Sequence, residues 1–317
     1  MTLFLTESQV EKLLTMSDAL RLVEDALREM GAARASNRPR QRVRMPNGIL
    51  QVMPAGLPSR GYAGFKYYTS FRSGTRFWFH LIDANNGDLL AIMQADRLGQ
   101  RRTGAASGVA TKYLARADAS SVGIIGTGWQ AESQLEAVCA VRQIRIVRCY
   151  SRDAAHREKF ARAMRARLNV DVRDVAAAAE AVRAADIVIT ATNAREPVLR
   201  GEWLASGAHV NAVGSNRAEA REVDDAALIR SAFVCVDSIE QAKIEAGDLL
   251  APIERGAFTW ERVQELGDLV SGKIVGRTDH DQITLFKSLG IALEDVAVGA
   301  WVYERARTLK IGQEVSL

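Results

Sequence analysis

Apolar and polar positions change rhythm along this chain. Over residues 6–31, "TESQVEKLLTMSDALRLVEDALREMG", Val10, Leu13, Leu14, Leu20, Leu22, Val23 and Leu27 recur near helical spacing, and "TMSDAL" supplies a cap between two helical segments. From about 40 to 95 the runs shorten and become rich in β-branched and aromatic residues: "QRVRMP", "ILQVMPA", "GYAGFKYYTS", "RFWFHLIDA" and "DLLAIMQA", separated by "NG", "GLPSRG", "SGT" and "NNG" turns. That pattern predicts an antiparallel sheet. "RRTGAASGVATKYLA", residues 101–115, then reads as a small-residue helix able to pack closely.

A polar break, "RADAS", opens a different regime. Strands alternate with helices: "SVGIIG", a helix at 129–142, "IRIVRCYS", a helix at 153–167, "DVRDV", a short helix at 175–184, then "DIVITAT", "HVNAVG" and "FVCVD". Such alternation predicts a parallel sheet with right-handed crossovers, a doubly wound α/β arrangement of Rossmann type. Near the end "QITLFKSLGIALEDVAVGAWVYERART" predicts one long amphipathic helical stretch that returns to the N-terminal part. The expected division is residues 1–116 with 290–317 as an α+β domain and 117–289 as the Rossmann domain.

Gly126-x-Gly128-x-x-Ala131 follows the first strand of the second region and opens a helix, the context in which this pattern means dinucleotide binding. The first glycine permits a tight turn, the second lets a pyrophosphate approach the backbone, and the small third residue lets helix and strand pack closely. Thr127, Trp129 and Gln130 complete the turn; Thr192, Val213 and Gly214, at the ends of two later strands, complete the expected cofactor set. At the tip of the second strand stand Ser151 and Arg152, a neutral residue and a guanidinium suited to a 2′-phosphate, which favours NADP(H). Asp153 keeps NAD(H) as the alternative, because a one-residue slip would bring its carboxylate to the ribose.

The 317 residues are 48% hydrophobic and 25% charged, the make-up of a globular protein large enough for two domains. No apolar run reaches the roughly 18 residues of a membrane span, and "MTLFLTESQVEKLL" lacks a basic leader, so a cytoplasmic protein is expected. Cys139, Cys149 and Cys235 are widely spaced in apolar segments and read as core residues; His80, His156, His209 and His280 show no ligand spacing, so no metal is expected. Net charge is +4, but only "RPRQRVR" is densely basic, without the aromatics or helix that duplex recognition wants. If that segment is a strand, Arg38, Arg40, Arg42 and Arg44 share one face.

"MPA" (53–55), "GFK" (64–66), "NNGDLLAIM" (85–93), "RRTGAAS" (101–107), "GTGWQA" (126–131), "VNAVGS" (210–215), "REVDDAAL" (221–228) and "DQITLFKSLGIALEDV" (281–296) together resemble the ornithine cyclodeaminase and mu-crystallin family, in family order and over nearly the whole chain. The resemblance implies a homodimer whose N-terminal domain, completed by the C-terminal helix, carries the substrate site and dimer contacts. It also implies that Lys66, Arg102 and Arg40 hold the substrate carboxylate. Physically, an arginine fork suits a carboxylate, and a lysine among cations can move a proton.

One position departs from the cyclodeaminase pattern. Those enzymes resemble one another in an aspartate just after the "VGG" turn, which takes a proton from the substrate's δ-amine; here that position is Asn216. An amide is no base in this pH range. Asp224 and Asp225 lie further on, where helix capping is the ordinary role. The expectation is therefore an NADPH-dependent reductase of small α-imino acids, working reversibly as an amino acid dehydrogenase, with a cationic pocket that offers no carboxylate to a second amine. Ornithine cyclodeamination with catalytic NAD is the alternative, and a non-enzymatic, nucleotide-dependent binding protein is a third reading.

Overall fold

The computed structural model describes residues 1–316. The chain divides into two compact units, Met1–Thr103 with the segment from Gly290 onward, and Gly104–Leu289. This division falls within a helix, whereas the sequence pattern suggests a boundary at the polar break that follows it.

In chain order the first unit begins with β1 (Thr2–Leu5), α1 (Glu7–Leu13), α2 (Met16–Gly31), β2 (Ser36–Asn37), β3 (Gln41–Met45), β4 (Gly48–Leu57), β5 (Tyr62–Phe71), β6 (Gly74–Asp83) and β7 (Leu89–Gln94). Helix α3 (Asp96–Leu114) starts in this unit and ends in the next. The cap read in "TMSDAL" is real: Thr15 Oγ1 accepts from Asp18 N at 3.1 Å while the Asp18 carboxylate accepts from Thr15 N.

The second unit continues with β8 (Ser121–Ile125), α4 (Trp129–Val141), β9 (Ile146–Tyr150), α5 (Ala154–Leu168), β10 (Asp171–Asp174), α6 (Ala178–Val182), β11 (Ile187–Thr190), β12 (His209–Ala212) and α7 (Asp225–Arg230). It closes with β13 (Ser231–Val236), α8 (Ile239–Glu245), α9 (Gly247–Glu254), β14 (Val263–Glu265), α10 (Leu266–Val270) and β15 (Ile283–Lys287). Helix α11 (Ala292–Leu309) and β16 (Gln313–Val315) return to the first unit.

Among the described residues the first unit holds an eight-stranded sheet ordered β16-β1-β7-β6-β5-β4-β2, with β3 paired to β4. Strands β4 to β7 form the expected antiparallel meander, while β1, which the sequence pattern did not mark, adds parallel to β7. The register aligns Met53, Lys66, Phe79 and Met93 in one row across the sheet, all buried. Helix α11 packs on β4 and β5 and against α2, so this row lies on the covered face.

The second unit is an all-parallel eight-stranded sheet, β10-β9-β8-β11-β12-β15-β13-β14. Chain order reverses between β8 and β11, the switch point at which doubly wound sheets bind ligands beyond their carboxyl ends. The fold class is thus the expected one: a Rossmann-type sheet plus an α+β unit.

Two expectations are corrected. The stretch from Gln282 is not one helix: Ile283–Lys287 is a strand whose five residues are all buried, and only Ala292–Leu309 is helical. A short apolar run buried on both faces has no periodicity to separate strand from helix, and here Gly290, at φ +74°, breaks the chain between them. Nor do the four arginines share a strand face. Pro39 cannot donate to a ladder, β3 begins only at Gln41, and Arg40 is buried ahead of it while Arg38 and Arg44 are exposed. Cys149 and Cys235 lie in the core as expected, but Cys139 is only partly covered.

Candidate active site

Strand alternation makes Lys66 unusual. In β5 the inward positions are Gly64, Lys66 and Tyr68, so an ammonium is directed into a layer otherwise built of Met53, Phe79 and Met93. Lys66 is 2% exposed. Burying a charge at such a depth is costly unless it is paired. The pairing comes from α11: Asp295 Oδ1 lies 3.2 Å from Lys66 Nζ and accepts from Arg102 Nε at 3.1 Å. Arg102 Nη1 donates to Glu294 Oε2 at 2.8 Å. Arg40 Nη2 donates to the Gly290 carbonyl at 3.2 Å. A Cβ on Gly99 of α3 would stand 2.5 Å from Lys66 Nζ, so glycine there leaves the ammonium its room.

Lys66, Arg102 and Arg40 thus lie together, and the sequence-derived picture of a purely cationic pocket is corrected. Two buried carboxylates, Glu294 and Asp295, belong to the cluster. Among these five side chains three cations face two anions, a mixture that can take part in binding a small carboxylate. Burial pulls the Lys66 ammonium down to about 8, Asp295 opposes that pull, and Arg102 and Arg40 reinforce it. Arg102 is also desolvated, but Asp295 and Glu294 outweigh burial and hold it protonated above its ordinary range.

In the second unit the glycine turn closes as the pattern demands. Gly126 has φ +100°, and a Cβ there would collide with the Ala191 carbonyl, so the fold itself requires glycine. Gly128 differs. It stands at the N-cap of α4 with negative φ, and a Cβ on it would meet no protein atom within 4 Å. Its smallness serves nothing in the protein's own packing and fits a phosphate approaching the helix N-terminus. Ala131 is fully buried beneath the turn.

A cleft of about 990 Å³ opens there. Gly126, Thr127, Gly128, Trp129 and Gln130 line one side, and Thr192, Val213 and Gly214 line another. Ser151 and Arg152 stand at a third. Thr127 Oγ1 donates to Ser151 Oγ at 2.9 Å, and Ser151 Oγ donates to the Asp153 carbonyl. The Asp153 carboxylate caps α5, accepting from His156 N at 3.0 Å. Arg152 is exposed and makes no hydrogen bond or ion pair among the described residues. These residues fit a dinucleotide.

Behind the cleft sits a carboxylate that sequence reasoning passed over. Glu222, fully buried, accepts from Thr192 N and Oγ1, each at 2.7 Å, from Gly214 N at 2.6 Å and from Thr190 Oγ1 at 3.0 Å. It fastens the ends of β11 and β12 to each other. Burial pushes its carboxyl above the usual range, with Lys287 opposing. Lys287 Nζ donates to Ser215 O at 2.6 Å and pairs with Asp248 Oδ2 at 3.0 Å. Asn216 follows this turn, half-buried. Asp224 caps α7 through Ala227 N, and Asp225 pairs with Arg221 and Arg255, the helix-start roles expected of both.

A glycine-turn cleft at the switch point of a doubly wound parallel sheet is the mark of a dinucleotide-binding protein, and this chain's relatives make the class an NAD(P)-dependent oxidoreductase. More particularly, the chain belongs to the ornithine cyclodeaminase/mu-crystallin family, whose profile matches residues 1–310. Its fold superposes with a TM-score of 0.95 on Thermococcus litoralis Δ1-pyrroline-2-carboxylate reductase in complex with NADH and L-proline, at 36% identity over 99% of this chain and 100% of that one. An archaeal alanine dehydrogenase dimer with bound NAD gives a TM-score of 0.94 at 34% identity, over 100% of this chain and 99% of the other. Ketimine reductase mu-crystallin from Mus musculus is 38% identical over 81% of this chain and 80% of its own. Among the described residues no helix is long and apolar enough to cross a membrane, and no cluster of three or more metal-ligating side chains occurs.

Proposed function

We propose that this protein is an NADPH-dependent reductase of small cyclic or N-substituted α-imino acids, running in reverse as an amino acid dehydrogenase. The observation that carries this reading is the buried cluster of Lys66, Arg102, Arg40, Glu294 and Asp295, with its ammonium drawn down to about 8. Arg102 and Arg40 grip the substrate carboxylate and hold its C=N bond in a near-attack position. When bound, the reduced nicotinamide supplies the hydride to the imine carbon. Lys66 supplies the proton to the imine nitrogen; an ammonium titrating near 8 is charged at neutral pH yet gives up its proton readily. The relatives named as pyrroline-carboxylate and ketimine reductases support this chemistry. Asn216, an amide where a cyclodeaminase carries its base, weighs against the lyase.

NADPH is favoured over NADH because Arg152 is an uncommitted guanidinium at the ribose end of the cleft, whereas the Asp153 carboxylate is spent on capping α5. The working unit is a cytoplasmic homodimer. In the first unit the sheet face opposite Lys66 carries Phe65, Tyr67, Trp78 and His80, partly exposed rings, with Phe65 stacked on His80 at 4.6 Å. A second copy of this face is the occupant that fits it.

The reading is tested by following NADPH and NADH oxidation with Δ1-pyrroline-2-carboxylate, Δ1-piperideine-2-carboxylate and pyruvate plus an amine, with ammonia release from L-ornithine measured alongside. Stoichiometric NADPH oxidation by an imine is expected. Ammonia released without net cofactor oxidation would make the protein a cyclodeaminase; cofactor binding with no turnover would make it a binding protein.

A further inference from the structure

Helix α11 carries two acids that the proposed reaction does not yet use. Adjacent carboxylates in the apolar stretch "GIALEDVAVGAWV" are both fully buried, and their roles differ. Glu294 touches Arg102. Asp295 touches both Arg102 and Lys66 through a single oxygen, Oδ1, while its Oδ2 accepts no hydrogen bond from the described residues. Asp295 is thus the acid that bridges the ammonium and a guanidinium.

We propose that Asp295 is a positioning residue for the proton-transfer step: it keeps Lys66 in its ammonium form ahead of proton transfer and anchors that ammonium in the space left by Gly99. The inference rests on the reading of Lys66 as the acid above. The groups facing the Lys66 ammonium are Asp295 from α11, Arg102 from α3, Arg40 from the segment ahead of β3, and the Phe77 ring of β6 at 5.2 Å from Nζ. Desolvation and the two guanidiniums favour the neutral amine, and Asp295 is the strongest influence toward the cation. Without it the amine would shed its proton at lower pH, leaving less of the acid for the imine nitrogen. Glu294 acts one step removed. By drawing Arg102 to itself it leaves more of the Asp295 charge to Lys66.

The test is the pH dependence of kcat/KM for imine reduction in the wild type and in Asp295→Asn, Asp295→Glu and Glu294→Gln. Substrate ionisation is common to all four, so only differences between them count. The wild type should lose activity on a basic limb near pH 8, and Asp295→Asn should move that limb at least one pH unit lower. Asp295→Glu, which keeps the charge, should restore it most of the way, and Glu294→Gln should move it down by less. A limb unmoved in Asp295→Asn, with activity merely reduced, would make Asp295 structural and overturn the proposal. If that variant does not fold, a Glu294→Gln limb at or above the wild-type position overturns it instead. Failure of the underlying reading looks different: the limb would persist in Lys66→Gln, showing that Lys66 was never its source.

Discussion

Each unit buries a lysine against an aspartate, and the two pairs are built to opposite ends. In the Rossmann unit Lys287 is held by Ser215 O and Asp248, whose Oδ1 also accepts from the backbone amides of Glu222 and Val223, and Glu222 in turn accepts four hydrogen bonds. In the sheet unit Lys66 has its ion pair at 3.2 Å with two guanidiniums nearby, and the Asp295 oxygen that holds it is shared with Arg102. Saturated charge locks strand ends in place. A buried ammonium set among other cations holds its proton less tightly.

The sharpest way to break this contrast is to remove both lysines. Lys66→Met should lower kcat by roughly 10²–10⁴-fold, with a smaller rise in KM and unchanged cofactor affinity. Lys287→Met, which strands a buried aspartate, should instead cost about 3–5 kcal/mol of stability in a denaturant titration. Equal kinetic and stability losses in both variants would erase the distinction.

The second contrast is with pH. Lys66 titrates at about 8 folded against an ordinary 10.5, so between these values the unfolded chain binds more protons and stability rises with pH, by up to roughly 3 kcal/mol. The cysteine thiols, pushed up by desolvation, pull stability the other way above pH 9, so the Lys66 contribution is read as a difference: from pH 7.5 to 10 the wild type should gain stability relative to Lys66→Met, and a constant gap between the two would contradict it.

The two turn glycines offer a smaller separation. Gly126→Ala should destabilise by about 1–3 kcal/mol, because it meets both a left-handed φ and the Ala191 carbonyl. Gly128→Ala should leave stability alone and weaken cofactor binding by about tenfold, read by quenching or calorimetry. Smallest is Arg152→Ala, expected to cost NADPH about 1.5 kcal/mol, near tenfold, while NADH affinity stays put; equal losses for both cofactors would place Arg152 on the shared pyrophosphate.

What could be read in the chain follows how local the cause is. The turn at Gly126–Gly128 is written within six residues, and strand alternation already directs Lys66 inward. Glu294 and Asp295 were illegible as partners because Arg102 lies some 190 positions away, yet two acids inside an otherwise apolar stretch are themselves a sign that buried cations await them. The same sign marks Lys287 at the end of "ITLFK". That strand was misread for the complementary reason: with all five side chains buried, neither period two nor period 3.6 survives in its sequence.

The most direct test of the central claim is isotope transfer. With NADPH deuterated at both C4 positions and Δ1-pyrroline-2-carboxylate as substrate, mass spectrometry of the product should show one deuterium on the α-carbon of each proline, matched mole for mole by NADP⁺. Proline that forms from L-ornithine with ammonia and no net change in cofactor, while the imine goes unreduced, would contradict it.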